Sequence, residues 1–315
     1  MPALLSSLGA AATAAALRSP AGVCIRTGPV TARIATPLPD VAASVASLYA
    51  DYPLVGSDEV VDFDVAVRRP TGLRALWRPQ VVFESDRRQP FNPLAGDQGF
   101  PLLEWGLNWC VYAACHQYLI LHAAVLERGG RALILPAPSG SGKSTLCAAL
   151  LFHGWRLLSD ELAMIDPRDG QLVPMPRPVS LKNASIDVMS QLVPQLRFGS
   201  RVEETVKGVV AHFNAPFDAV QRANERASPA WVVLPRYVAG KPATLAPLER
   251  ARGFMSLVEN AFNYEVFGAE GFEVLASVID RCLCFNFEYG HLPEAIALFN
   301  RLADGPTDGP AALPR

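Results

Sequence analysis

The centre of the chain reads LILPAPSGSGKST, from Leu133 to Thr145. Three apolar residues come first, a loop of small residues follows, and Lys143 and Ser144 then open a run with high helix propensity. This order is typical of a strand, a phosphate-binding loop and a helix, because small residues let backbone N–H groups approach phosphate oxygens and the helix dipole favours a bound anion. We therefore expect a nucleoside triphosphate site within an α/β core.

Two residues of this loop contribute chemistry through their side chains. Lys143 places a positive charge near the terminal phosphates, and the Ser144 hydroxyl completes the coordination of a phosphate-bound Mg²⁺. The usual pattern, G-x-x-x-x-G-K-[ST], begins with glycine, whereas this chain has Ala137, which fits if the backbone keeps a negative φ there. A chance glycine-rich turn is the alternative interpretation. The predicted nucleotide-contacting residues are Pro138, Ser139, Gly140, Ser141, Gly142, Lys143, Ser144 and Thr145.

An acidic pair, Asp160-Glu161, follows the predicted strand 155–158. A carboxylate that ends the strand beside a phosphate loop lies near the γ-phosphate, where it can hold Mg²⁺ or accept a hydroxyl proton. Neighbouring strand residues point to opposite sides, so the two carboxylates cannot share one role. We assign Asp160 to metal binding and proton transfer and Glu161 to a supporting role. A solvated acidic turn is the alternative.

Three further residues are candidates on weaker grounds. His122 interrupts the apolar strand predicted at 119–126, where a hydrogen-bonded core histidine is the ordinary explanation. Lys182 and Lys207 could neutralise charge on the transferring phosphoryl oxygens, although each could also be an ordinary solvated cation.

Composition limits the class of protein. The 315 residues carry a formal net charge of −2 and half of them are hydrophobic, which leaves no basic footprint for a nucleic acid or an anionic membrane. The six cysteines form no C-x-x-C pair, and we expect small buried residues in a reducing compartment. The first 17 residues lack the positive start of a secretory signal, and polar residues interrupt the apolar run 107–126. We therefore expect a cytoplasmic protein with no membrane partner.

The pattern of strands and helices predicts three regions. Residues 1–95 form an α+β region that could select a substrate or partner, and Pro90, Pro93, Gly96 and Gly99 mark a connecting loop. Residues 96–305 form the P-loop domain, in which Gly129-Gly130 turns a hairpin into the strand before the loop. Residues 306–315 form a flexible tail. Because hairpins join several strands, we expect an α/β fold with an α+β flavour and a mixed sheet.

Residues 119 to about 183 resemble the catalytic domain of HPr kinase/phosphorylase. The matching motifs are Leu121-His122-Ala123, the loop Pro138 to Ser144, and the segment His153 to Glu161. The whole chain more loosely resembles the HPr kinase-related kinase A group, in segments 176–183, 207–212 and 260–264. The resemblance does not extend to the E-[IV]-R-G signature, whose nearest counterpart is Val206-Lys207-Gly208, and Glu161 stands where the family has an aspartate.

The resemblance implies a phosphoenolpyruvate-carboxykinase-like nucleotide fold, like the C-terminal domain of HPr kinase. It implies a kinase that uses ATP and Mg²⁺ to phosphorylate a hydroxyl, on a small protein, a peptide serine or a small molecule. Lys143 and Ser144 then bind phosphate and metal, Asp160 is the acid/base carboxylate, and His122 is the active-site histidine. The family also implies a possible homo-oligomer and an exopolysaccharide- or exosortase-associated pathway.

Two other functions use the same loop. A nucleotide-dependent regulator would bind ATP with little chemistry, and an ATPase would use water in place of the acceptor hydroxyl. Incubation with labelled ATP, comparing free phosphate with labelled acceptor, separates these functions from a kinase.

Overall fold

The computed structural model describes residues 2–56, 59–71, 79–138 and 140–305 of a mixed α/β chain with several sheets. The chain divides into two compact units, Met1–Cys115 with Met175–Asn224 and His116–Pro174 with Glu225–Arg315. The predicted boundary at residue 95 falls inside the first unit. Three predicted features lie outside the described residues: Ser139, the tail 306–315, and residues 74–78 of the segment that we expected to form strands over 74–83.

The elements follow in chain order. The strands are β1 (Val23–Thr27), β2 (Val30–Ala35), β3 (Phe63–Arg68), β4 (Gln80–Ser85), β5 (Leu94–Ala95), β6 (Leu119–Arg128), β7 (Arg131–Pro136), β8 (Arg156–Ser159), β9 (Leu162–Ile165), β10 (Leu172–Val173), β11 (Val179–Lys182), β12 (Val202–Thr205), β13 (Gly208–Phe213), β14 (Ser228–Tyr237), β15 (Thr244–Pro247) and β16 (Leu283–Tyr289). The helices are α1 (Ala10–Arg18), α2 (Pro39–Leu48), α3 (Gly99–Ala114), α4 (Lys143–Leu151), α5 (Ala184–Leu192), α6 (Phe217–Gln221), α7 (Arg250–Glu259), α8 (Tyr264–Phe267), α9 (Ala269–Arg281) and α10 (Leu292–Asp304).

The described residues of the first unit form two sheets. Strands β1 to β5 lie in sequence order, with β2 and β3 parallel and the other neighbours antiparallel. In β3 the apolar residues Phe63, Val65 and Val67 are buried, as the alternating sequence predicts. The second sheet has the antiparallel order β11-β13-β12.

The second unit is built on one mixed sheet of order β10-β9-β6-β7-β14-β16-β15, with β8 also paired to β6. Strands β7, β14 and β16 are parallel. Strand β6 turns back into β7 through Gly129 and Gly130, whose φ values of 61° and 78° suit the predicted tight hairpin. This hairpin is therefore confirmed.

Helices cover both faces of this sheet. Leu121, Ala123 and Val125 of β6 face one side, in a core that includes residues of α7 and α9. On the opposite side Trp155 packs against Trp231 of β14 and Phe299 of α10, with ring centroids 6.0 and 6.4 Å apart. Helix α4 packs against α10 and therefore lies on this second side. The alternation along β6 directs His122 to the face that α4 covers.

Several predicted elements differ in their limits. The sequence predicts one helix within residues 1–17 and another over 102–118. The first region is a 3₁₀ helix over Leu5–Leu8 followed by α1, and the second is α3, which ends at Ala114. In the described part of the chain no helix is long and apolar enough to cross a membrane.

The cysteines behave mainly as small apolar residues. All are free thiols, and five are buried, whereas Cys24 is partly exposed. Burial raises the pKa of the Cys115 thiol to about 11 and raises the pKa values of Cys282 and Cys284 as well. Burial therefore makes these thiols poor nucleophiles at neutral pH.

Candidate functional site

The predicted phosphate loop connects the end of β7 to the start of α4. Gly140 and Gly142 have φ values of 87° and 90°, a left-handed backbone that only glycine adopts without strain. Ala137 is not among the described residues with positive φ, so an alanine is acceptable at the position of the usual first glycine. The loop therefore has its two glycines where the backbone needs them.

The remaining predicted contact residues have these positions. Pro138, Gly140, Ser141 and Gly142 lie in the loop, and Lys143, Ser144 and Thr145 form the first turn of α4.

Two tyrosines at the ends of neighbouring parallel strands form hydrogen bonds to the loop. The Tyr237 backbone N–H at the end of β14 donates to the Ser141 carbonyl at 2.9 Å. The Tyr289 hydroxyl at the end of β16 donates to the Gly142 carbonyl, also at 2.9 Å. A Cβ on Gly142 would lie 2.5 Å from that hydroxyl and 2.9 Å from the Tyr237 Cβ. Sequence reasoning missed both tyrosines. Tyr237 lies at the carboxyl end of an apolar strand, which is a usable signal, whereas nothing local in the sequence connects Tyr289 with the loop.

Lys143 and Asp160 are both buried, with exposed fractions of 5% and 6%. Both lie within electrostatic range of the Cys147 thiol in α4. Burial is the main cause that raises the pKa of Cys147; the charge of Asp160 raises it further and that of Lys143 lowers it. A buried cation and a buried anion thus both act on the Cys147 thiol within α4.

The acidic pair occupies a break between two strands. Strand β8 ends at Ser159 and β9 begins at Leu162, and both strands pair with β6. The Leu162 N–H donates to the Ser159 Oγ at 3.0 Å, which stabilises the break. Asp160 is buried whereas Glu161 is partly exposed, so the two residues have different surroundings.

Sheet pairing brings the loop, the acidic pair and His122 to one edge. Ala123 of β6 lies opposite Pro136, the last residue of the strand before the loop. On the other side of β6 its N–H donates to the Glu161 carbonyl at 3.1 Å. His122 precedes Ala123, and it is partly exposed rather than buried in the core.

The segment after α7 pairs with the start of β6 beside His122. The Asn260 carbonyl accepts the His122 N–H at 2.7 Å, and the Phe262 N–H donates to the Ile120 carbonyl at 2.9 Å. The buried Asn263 side chain accepts the Ile120 N–H at 2.9 Å. The Phe262 ring lies 6.0 Å from the imidazole and is 44% exposed. One side of His122 is therefore bordered by an exposed aromatic ring.

Lys182 and Lys207 belong to the first unit, whereas the phosphate loop belongs to the second. Lys182 ends β11, and its N–H donates to the Ser185 Oγ at 2.9 Å. The Lys207 ammonium lies 4.8 Å from the centroid of the Trp105 ring, which is a cation–π contact. The cation–π contact gives the Lys207 side chain a partner within its own unit.

The chemistry of the donor set fits a metal ion that is bound together with phosphate. In the residues that the structure describes, no group of three or more His, Cys, Asp or Glu side chains could hold a metal by itself. Mg²⁺ commonly takes one or two protein oxygens and completes its shell with substrate phosphates and water. Ser144 in the first turn of α4 and the buried Asp160 offer such a pair.

No protein-family model matches this chain. A search of curated proteins also finds no match.

Proposed function

We propose that this chain is a kinase that transfers the γ-phosphoryl group of ATP to a hydroxyl, with the phosphoenolpyruvate-carboxykinase-like fold of HPr kinase. The observation that carries this proposal is the meeting of a phosphate loop and a buried carboxylate, Asp160, at one edge of one sheet. A loop alone requires only nucleotide binding. A buried carboxylate beside it adds a group that can receive a proton from an acceptor.

The loop and α4 bind and orient the triphosphate. Backbone N–H groups of residues 140–144 converge on the β-phosphate at the start of the helix. The Lys143 ammonium bridges the β- and γ-phosphates, and its burial shields this attraction from water. The glycine backbone held by Tyr237 and Tyr289 keeps these donors in place before the nucleotide arrives.

The acidic edge orients and deprotonates the acceptor. The Asp160 Oδ accepts the proton of the incoming hydroxyl while that oxygen attacks the γ-phosphorus, and ADP leaves on the opposite side. His122, on the same face as α4, hydrogen-bonds the acceptor and positions it. When bound, Mg²⁺ neutralises charge on the phosphate oxygens, and Ser144 with Asp160 would hold it.

The acceptor is a small carrier protein, a peptide serine or a small hydroxyl compound. Products of genes beside this one, including any exopolysaccharide pathway, are the first acceptors to test.

The test is transfer of labelled γ-phosphate from ATP to candidate acceptors, read by mass spectrometry and by free phosphate release. We expect Lys143→Ala to abolish both nucleotide binding and transfer, because it removes the buried phosphate ligand. We expect Asp160→Asn to keep ATP affinity within a few-fold and to lose transfer by a factor of about 100 or more. The exposed carboxylate variant Glu270→Gln serves as the matched control and should retain full activity.

The outcomes separate the candidate functions. Release of free phosphate without a labelled acceptor would identify an ATPase, and tight ATP binding without turnover would identify a regulator. Full transfer activity in Asp160→Asn would contradict the assignment of the proton acceptor.

A further inference from the structure

Tyr237 presents an exposed aromatic ring directly beside the phosphate loop. It ends β14, the parallel neighbour of the strand that leads into the loop, and 53% of the residue is exposed. Its backbone N–H is bonded to the Ser141 carbonyl, and its Cβ lies against Gly142. An apolar ring that remains this exposed at a candidate binding site invites contact with a ligand.

The order of the strands gives the nucleotide a direction. Asp160 and His122 lie on the β6 and β8 flank of the loop strand β7, whereas Tyr237 lies on the β14 flank. The γ-phosphate must lie toward the carboxylate for transfer. Because the loop holds the middle of the triphosphate, the nucleoside end leaves on the other flank, where Tyr237 is.

The Tyr237 side chain lies on the same face of the sheet as α4. Trp231 and Tyr237 are six residues apart in β14 and therefore point to the same side. The Trp231 ring packs against Trp155 on the side covered by α10 and α4. The bound anion at the start of α4 and the tyrosine ring are thus on one side of the sheet.

The Tyr237 ring packs against the Tyr289 ring. Tyr289 lies opposite Tyr237 in the parallel register of β14 and β16, and the two rings pack edge to face with centroids 5.6 Å apart. The next residue, Val238, donates its N–H to the Tyr289 carbonyl at 2.8 Å. A preorganised ring loses little conformational freedom when a flat ligand stacks on it.

We propose that Tyr237 is the platform on which the base of the bound nucleotide stacks. This inference rests on the proposed nucleotide binding and adds the recognition of the base to it. A tyrosine face stacks with any base, so the platform contributes affinity without strong selection between adenine and guanine. Base selection then depends on other contacts, and GTP should bind through Tyr237 as ATP does.

The test compares two ligands on the full-length protein by calorimetry in the presence of Mg²⁺. ATP has a base, whereas inorganic tripolyphosphate has only the phosphate chain. We expect Tyr237→Ala to weaken ATP and GTP binding by about tenfold or more and to leave tripolyphosphate binding unchanged. Tyr237→Phe and Tyr237→Trp should keep the affinity for ATP. Phe272→Ala, which removes another exposed aromatic ring, should change neither ligand.

Each other outcome overturns the platform. Equal weakening of ATP and tripolyphosphate would mean that Tyr237 acts only by supporting the loop. Unchanged ATP binding in Tyr237→Ala would mean that the base lies elsewhere. Wild-type protein that binds tripolyphosphate as well as ATP would overturn the platform while leaving the phosphate loop intact. Wild-type protein that binds neither ligand would overturn the proposed function itself.

Discussion

At the scale of single residues, glycine is required at positions 140 and 142 of the loop for different physical reasons. Both have a left-handed backbone, but open space surrounds a Cβ placed on Gly140, whereas a Cβ on Gly142 would meet both tyrosines. Backbone conformation alone requires glycine at the first position. Conformation and packing together require it at the second.

This difference gives a matched pair of variants. Gly140→Ala should cost about 1–2 kcal/mol of backbone strain. Gly142→Ala adds overpacking and should lower the free energy of unfolding by about 1–3 kcal/mol more. Denaturant unfolding of the two variants measures the difference, and the pair should rank the same way in nucleotide affinity. Equal destabilisation would mean that the tyrosines adjust to the added methyl at no cost.

The sequence was sufficient to place Lys143 at the start of a helix and Asp160 after a short strand, because each follows an apolar run with a recognisable pattern. It was insufficient for Tyr289, since that residue reaches the loop only through the parallel pairing of β14 with β16. Contacts between residues 147 positions apart leave no local signal in one sequence. The same limit applies to Lys207, whose partner Trp105 lies far away along the chain.

At the scale of elements, local sequence patterns correctly predicted a strand with one buried face and a tight turn. The alternation of apolar and polar residues predicted strand β3, and the glycine pair at 129–130 predicted the hairpin between β6 and β7. Helix α9 and strand β16 were not predicted, although both contribute to the core of the second unit. Strand β16 lies between β14 and β15, and from Phe285 to Tyr289 its residues alternate between apolar, buried and polar, less buried ones, a signal that the prediction did not use.

The turn between β9 and β10 provides a test by pH. Asp166, whose carboxylate is 1% exposed, accepts hydrogen bonds from the Arg168 backbone and side chain and also pairs with Arg226. The side-chain hydrogen bond from Arg168 is the largest cause that lowers the pKa of Asp166, to about 2. A lowered carboxyl pKa stabilises the folded state above the unfolded pKa, near 4, and this contribution disappears as the pH falls toward 2.

Asp166→Asn should therefore destabilise the protein at pH 7. The difference in free energy of unfolding between wild type and variant should become smaller between about pH 4 and pH 2. Urea unfolding of both proteins at pH 7, 5, 4, 3 and 2 measures this difference. Asp218→Asn, which affects an exposed (i, i+4) pair in α6, is the control and should change little. A gap that stays constant down to pH 2 would contradict the ionic role of Asp166.

At the scale of the whole molecule, the division into units could not be predicted from composition. The proline- and glycine-rich segment near 90–99 has the composition of a linker, yet α3 after it belongs to the first unit. Glu104 of α3 accepts a hydrogen bond from Tyr49 at 2.5 Å, and Asn108 accepts one from Arg177. These contacts join residues far apart along the chain, and the composition of the segment near 90–99 does not reveal them.

Thiol labelling tests the burial of the cysteines across the chain. In the native protein a polar thiol reagent should react readily with Cys24 alone, because the other five thiols are buried. In denaturant all six should react. Mass mapping of the labelled peptides identifies the sites, and Cys24→Ser should remove the fast phase. Fast labelling of Cys147 in the native state would contradict the packing beside α4.

The loop can form its hydrogen bonds to Tyr237 and Tyr289 only after both tyrosines have been synthesised. The loop itself is made by residue 145, but the strands that end in Tyr237 and Tyr289 follow some 90 and 140 residues later, and all of 175–224 is made in between for the other unit. On the ribosome the loop is therefore synthesised before the two tyrosines that hydrogen-bond it, and residues 175–224 of the other unit are added in between. The proposed nucleotide binding should therefore be absent from nascent chains stalled before residue 289, which lack the Tyr289 hydroxyl that bonds Gly142.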